Sequence, residues 1–238
     1  MKTALAILAA TMLAQSAPLR VQQLILRLSD GGAIRYAISV PRDYSPSLAR
    51  PLVLSLHPGG AGGQNAGAAF MRSVVAPGLQ DLGAIIIAPD SPAASWAEPA
   101  AERAVMALVE HVFADYSVDR RRVLVTGFSV GGGGTWFLAA RHADVFTAAM
   151  PIAGSAAETP ADQLSHVPTY VIHSRKDEVM SFEGAERTVR ALQQLGRTVV
   201  FDALEEPRHY QMTAYIEAVK RGSRWVADRW RDAGSRPQ

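Results

Sequence analysis

The sequence predicts an α/β fold with a mostly parallel central sheet flanked by helices. From residue 52 onward, short apolar runs alternate with longer helical segments. The runs are apolar throughout, as strands covered on both faces must be. A hairpin-like pair of strands precedes them, and strands alternating with helices define this class. The 238 residues, 48% hydrophobic and 19% charged, suit one domain with a sizeable core.

Each element has a local reason. Leu24–Leu28 and Ile34–Val40 read as antiparallel strands around the turn Ser29-Asp30-Gly31-Gly32. Leu52–Leu56 is a buried strand that runs into His57-Pro58-Gly59-Gly60-Ala61-Gly62-Gly63. Ala84–Ala88 is a second, stopped by Pro89-Asp90. Pro99–Tyr116 is helical, with Ala104, Ala107, Leu108, His111 and Val112 along one side. Val123–Thr126 is a strand, followed by a glycine-rich turn and a helix to about His142. Ala148–Ile152, Tyr170–His173 and Val199–Leu204 complete the strands, with helices near Glu183–Leu195 and Thr213–Trp230.

Composition excludes several functions. With no cysteine, the chain has no disulfide framework, thiolate metal site, iron–sulfur cluster or cysteine nucleophile. The net charge is only +2, without a basic, aromatic-interleaved stripe, so no nucleic-acid partner is expected. Met1–Ala17 has the pattern of a signal peptide. Lys2 is followed by the apolar stretch Ala4–Ala14, and Ala14-Gln15-Ser16 supplies small residues for cleavage after Ser16. The expected division is residues 1–16 as leader and 17–238 as the domain. The mature chain would be secreted or periplasmic, and no other apolar run is long enough to span a bilayer.

The most informative stretch is Gly127-Phe128-Ser129-Val130-Gly131, a G-x-S-x-G pattern between a strand and a helix. A nucleophilic serine needs a sharp, strained turn, and small neighbours two residues away on either side permit it. The helix that follows aims its N–H groups at a developing oxyanion. Dinucleotide spacing would need glycine at Trp136 or Phe137, and a phosphate loop would need lysine at Gly133.

In this architecture the acid and then the histidine follow the serine. Among six histidines, only His209 follows a last strand and precedes the final helix. Its pKa range suits a base that takes the serine proton and returns it. Ten carboxylates lie between Ser129 and His209. Asp177, three residues beyond a strand end, fits the acid that orients the imidazole, with Glu178 as near rival. Val130 N–H is one expected oxyanion donor. Pro58 has no N–H, so Gly59 is the first choice for the second donor and Gly60 the next. His57 is read as holding this loop.

The blocks His57-Pro-Gly-Gly, Asp119-Arg-Arg-Arg-Val-Leu-Val-Thr-Gly-Phe-Ser-Val-Gly-Gly132, His173-Ser-Arg-Lys-Asp177-Glu-Val179 and His209-Tyr resemble the α/β-hydrolase superfamily. Within it, the chain is most similar to secreted bacterial carboxylesterases of the polyhydroxybutyrate-depolymerase, feruloyl-esterase and phospholipase/carboxylesterase type, over about Leu24 to Trp230. His57-Pro58 departs from the more usual His-Gly. The resemblance implies Ser129 as nucleophile, Asp177 as acid and His209 as base, with no cofactor or metal.

Ala153–Val167 spans only 15 residues where many relatives insert a lid, so no large cap is expected and the site should be open and shallow. Trp96, in the loop Ser91–Pro99 after a strand end, is a candidate substrate-binding wall. The function expected is a serine esterase acting on a small-molecule or polymeric ester. The alternatives are a peptidase or thioesterase with the same triad, or a noncatalytic binding protein of this fold. Oligomeric state is not legible in the sequence.

Overall fold

The computed structural model describes residues 20–59, 63–157, 159–164 and 166–234. The expected leader lies outside them. Eight strands of the described residues form one sheet: β1 (Val21–Arg27), β2 (Ala33–Ser39), β3 (Arg50–Leu56), β4 (Ile85–Pro89), β5 (Val118–Phe128), β6 (Ala148–Ile152), β7 (Thr169–Ser174) and β8 (Val199–Leu204). Their spatial order is β1-β2-β4-β3-β5-β6-β7-β8. The β1–β2 and β2–β4 pairs are antiparallel. All others are parallel, as consecutive buried strands joined by helices require.

Among the described residues, six α-helices cover the sheet: α1 (Ala66–Phe70), α2 (Ala76–Leu79), α3 (Pro99–Asp115), α4 (Val130–Arg141), α5 (Phe182–Gln194) and α6 (Ile216–Gly234). Strand side chains alternate between the two faces. Leu52, Leu54 and Leu56 of β3 join the core under α3 and α4, with Leu108, Val112 and Leu138. Val53 points the other way, into the core under α1, α2 and α6, with Met71, Val219 and Trp230. Val189 and Leu192 of α5 pack with Trp136 of α4 and Val171 of β7. The helices therefore divide three and three.

The structure departs from the sequence reading in two places. The segment Ala66–Leu79 is helical, with a π-helical turn at Met71–Val75 between α1 and α2. Its alanine, glycine and proline content carries no helical stripe, and Asn65 caps it in a left-handed conformation without a side-chain hydrogen bond. The cap comes from elsewhere: Asp90 accepts the Asn65 and Gly67 N–H groups at 2.9 and 3.0 Å. β5 also begins earlier than expected, because Val118 pairs with Arg50 through the backbone while Asp119-Arg120-Arg121-Arg122 reads as polar loop.

The parallel strands share one direction, so their carboxyl ends form a single edge. Ser129 follows β5, Asp177 follows β7, His209 follows β8 and Pro58-Gly59 follows β3. In such sheets that edge is where ligands bind. Between β6 and β7 only a short 3₁₀ turn at Ala161–Gln163 intervenes, so no large cap covers it.

Candidate active site

Ser129 sits on the β5–α4 turn with φ 57° and ψ −118°, a conformation costly for a residue with a Cβ. Its N–H donates to Ile152 O at 2.9 Å and its carbonyl accepts the Gly133 N–H at 3.0 Å. The flanking glycines are required by proximity. A Cβ on Gly127 would stand 2.4 Å from Gly131 O, and one on Gly131 would stand 2.1 Å from Leu56 O. The turn can therefore press against β3 only if both are glycine.

The structure brings Ser129, His209 and Asp177 together. His209 Nε2 is 2.9 Å from Ser129 Oγ, and His209 Nδ1 is 2.8 Å from Asp177 Oδ2. Ser129 and His209 are 6% and 3% exposed. An ionised carboxylate only accepts, so Nδ1 carries the proton and Nε2 offers its lone pair to the serine hydroxyl. The other Asp177 oxygen accepts the Val179 and Met180 N–H groups at 3.0 and 2.8 Å, which fixes the carboxylate plane. Phe128 packs its ring 5.2 Å from the imidazole.

The rival carboxylates have other partners. Glu178 accepts the backbone N–H of His209 at 3.1 Å, and that bond holds its carboxyl below the ordinary value. It thus steadies the histidine's main chain and leaves the ring to Asp177. Asp202 accepts from Tyr170 Oη at 2.9 Å and from Arg221. Burial, then Asp202, pushes the Tyr170 hydroxyl up to about 12.

Val130 opens α4, so its N–H belongs to the first turn, where no intrahelical acceptor exists. Gly59 has φ +76°, a conformation that favours glycine. Gly60 lies outside the described residues. Trp96 corrects the sequence reading. It is 1% exposed, and its indole Nε1 donates to His57 O at 3.1 Å. The side chain is buried between β3 and α4, where a Cβ on Gly134 would stand 2.4 Å from the Trp96 Cβ and 2.9 Å from its ring Cγ. It underlies the loop after β3 and presents no wall to solvent. Tyr210 and Val179, 78% and 46% exposed, are the large apolar side chains beside the histidine and the acid; nothing in the linear sequence distinguished them.

A cleft of about 1020 Å³ opens at the opposite edge of the sheet, lined by Asp119, Arg122, Thr147, Pro168 and Trp230. Asp119, Arg122, Thr147 and Pro168 lie at or near strand starts and Trp230 in the last turns of α6, at the end of the sheet away from the serine. Among the described residues, no group of three or more His, Cys, Asp or Glu side chains is placed to hold a metal ion. Likewise, no described helix is long and apolar enough to cross a membrane.

The sheet order and the serine turn define the α/β-hydrolase fold. More particularly, residues 93–220, over half of the chain, match the Dienelactone hydrolase family, and the chain belongs to it. The matched span contains Ser129, Asp177 and His209. The chain is 31% identical over 168 residues to "Probable feruloyl esterase C" of Aspergillus niger, covering 65% of this chain and 60% of that protein. It is 29% identical over 156 residues to "Feruloyl esterase C" of Emericella nidulans, covering 63% and 57%. The chain thus spans less than two thirds of the length of these curated relatives. Among solved structures, a thermostable esterase superposes with TM-score 0.76 at 23% identity, over 87% of this chain and 62% of the other. A ferulic acid esterase superposes with TM-score 0.72 at 16% identity, over 89% and 99%.

Proposed function

We propose that the protein is a serine esterase, with feruloyl esters as the first substrate class to test. The observation that carries this reading is the imidazole of His209, held at hydrogen-bond distance between Ser129 Oγ and Asp177 Oδ2. Feruloyl esters come from the names of the relatives. In the proposed reaction Ser129 Oγ attacks the ester carbonyl as His209 Nε2 takes its proton. Asp177 stabilises the imidazolium without becoming protonated. The N–H groups of Val130 and Gly59 receive the tetrahedral oxyanion. His209 returns the proton to the leaving alcohol, and water then hydrolyses the acyl-enzyme by the same base.

The test is turnover of p-nitrophenyl acetate, p-nitrophenyl butyrate and methyl ferulate by wild type and Ser129→Ala. Loss of the nucleophile in a triad costs ~10⁶-fold in kcat. Unchanged turnover in the variant overturns the reading. Faster wild-type cleavage of a matched amide or thioester than of the esters replaces esterase by peptidase or thioesterase.

A further inference from the structure

We propose that Asp90 and Ser91, the two residues leaving β4, form with His57 and Trp96 a clasp that sets the direction of the Gly59 N–H. The four are positioning residues for the second oxyanion donor. This inference rests on the serine-esterase reading above.

The first grip is on the start of the loop after β3. The Ser91 N–H donates to His57 Nε2 at 3.0 Å. That nitrogen must therefore carry the lone pair, and the neutral ring holds its proton on Nδ1. His57 Nδ1 stands 2.8 Å from Pro58 O, so the ring donates to that carbonyl. The Pro58–Gly59 bond is trans. In a trans peptide the carbonyl and the next N–H point to opposite sides. Drawing Pro58 O toward the His57 ring thus turns the Gly59 N–H away from it.

The preceding peptide plane is fixed as well. His57 O accepts from Trp96 Nε1 at 3.1 Å, and the two rings meet edge to face with centroids 5.1 Å apart. His57 and Trp96 are 2% and 1% exposed, which shields these bonds from water. The loop needs such anchors. Gly59 is left-handed and exposed, and among the described residues nothing lies within 4 Å of where a Cβ would stand.

The second grip is on the far end of the same loop. The Asp90 carboxylate accepts from the Asn65 and Gly67 N–H groups. Gly67 is seated so closely that a Cβ would lie 2.4 Å from Ala88 O and 2.6 Å from Pro89 O. One short segment beyond β4 therefore holds both ends of the loop that begins with the proposed donor. An oxyanion donor acts only if it is aligned before the reaction, and losing one costs about 10²–10³-fold in kcat.

The test uses the full-length protein, p-nitrophenyl butyrate, and two inhibitors. A trifluoromethyl ketone reports the tetrahedral adduct, and butyrate reports ground-state binding. His57→Phe should lower kcat about 10²-fold with KM little changed, and raise the ketone Ki by a similar factor. Butyrate binding should not move. Trp96→Phe keeps a ring in place and removes one N–H. It should give a smaller, roughly tenfold loss of the same pattern, and it decides the matter if His57→Phe does not fold. Asp90→Ala should act in the same sense from the other end. Unchanged kcat in a folded variant, or equal loss of ketone and butyrate binding, overturns the clasp while leaving the esterase reading intact. A wild type inert to esters and to a fluorophosphonate probe overturns that reading, and the clasp with it.

Discussion

At the scale of single residues, the candidate site is built from groups whose second contacts matter as much as their first. Asp177 faces His209 with one oxygen and is pinned by two backbone N–H groups through the other. Behind it stands His173, 1% exposed, with Nε2 2.9 Å from Met180 O and 3.6 Å from Asp177 Oδ2. Burial holds the His173 pKa below its ordinary 6.5, against the opposing pull of the Met180 carbonyl and Asp177. The unfolded chain therefore takes up a proton as pH falls through 6.5, while the folded chain resists. Stability from this residue is present above that pH and lost below it. His209 and Glu183 also face the ring and shape the same limb. His173→Gln keeps a donor toward Met180 and cannot titrate, so its urea midpoint should fall less than that of wild type between about pH 7.5 and 5.5. An equal fall in both removes His173 from the acid response.

At the scale of elements, α4 and α5 show opposite routes to a stable helix. α4 begins Val130-Gly131-Gly132-Gly133-Gly134, and each glycine costs roughly 1 kcal/mol of helix propensity relative to alanine. The helix forms because those glycines permit contact. A Cβ on Gly132 would meet Ile152 O at 2.7 Å and Gly154 Cα at 2.9 Å. Its stability is tertiary. α5 has a local start: the Ser181 hydroxyl accepts the Gly184 N–H at 3.0 Å, and Val189 and Leu192 form its buried side. Ser181→Ala should cost ~1 kcal/mol in equilibrium urea unfolding. Activity should be unaffected, since Ser181 touches none of Ser129, Asp177 or His209. A loss below about 0.3 kcal/mol removes the cap from the account of α5.

At the scale of the whole molecule, one sheet serves two cores. The same strands send alternate side chains to the α3–α4–α5 face and to the α1–α2–α6 face, so neither layer can lose its packing while the sheet persists. Trp96 belongs to the first face and Trp230 to the second. Tryptophan fluorescence and far-ultraviolet circular dichroism should therefore report coincident urea transitions, also when Trp96 and Trp136 are both replaced by Phe to leave Trp225 and Trp230 of the other face as reporters. Separated midpoints would show that the two faces unfold independently. The parallel sheet also explains why residues 80 positions apart, Ser129 and His209, meet: their strands end on one edge.

Much of this was legible in the linear chain. Apolar runs such as Leu52–Leu56 and Ala148–Ile152 mark doubly covered strands, because only such strands lack a polar face. Gly127-Phe-Ser-Val-Gly131 marks the strand–turn–helix at Ser129, because the bend tolerates no bulk two residues either side. The absence of cysteine leaves any nucleophile to an oxygen or nitrogen group. Only the folded structure decided the rest. Which carboxylate faces the His209 ring depended on where the β7 loop carries Asp177 and Glu178, adjacent in sequence but bonded to different atoms of the same residue. Trp96 went beneath the loop and not along a cleft because β3 and α4 close over it. The helix at Ala66 owes its cap to Asp90, and the loop before it owes its anchor to Ser91. Periodicity and propensity record what a segment needs from its own neighbours. A bond received across the fold leaves no pattern in the segment that receives it.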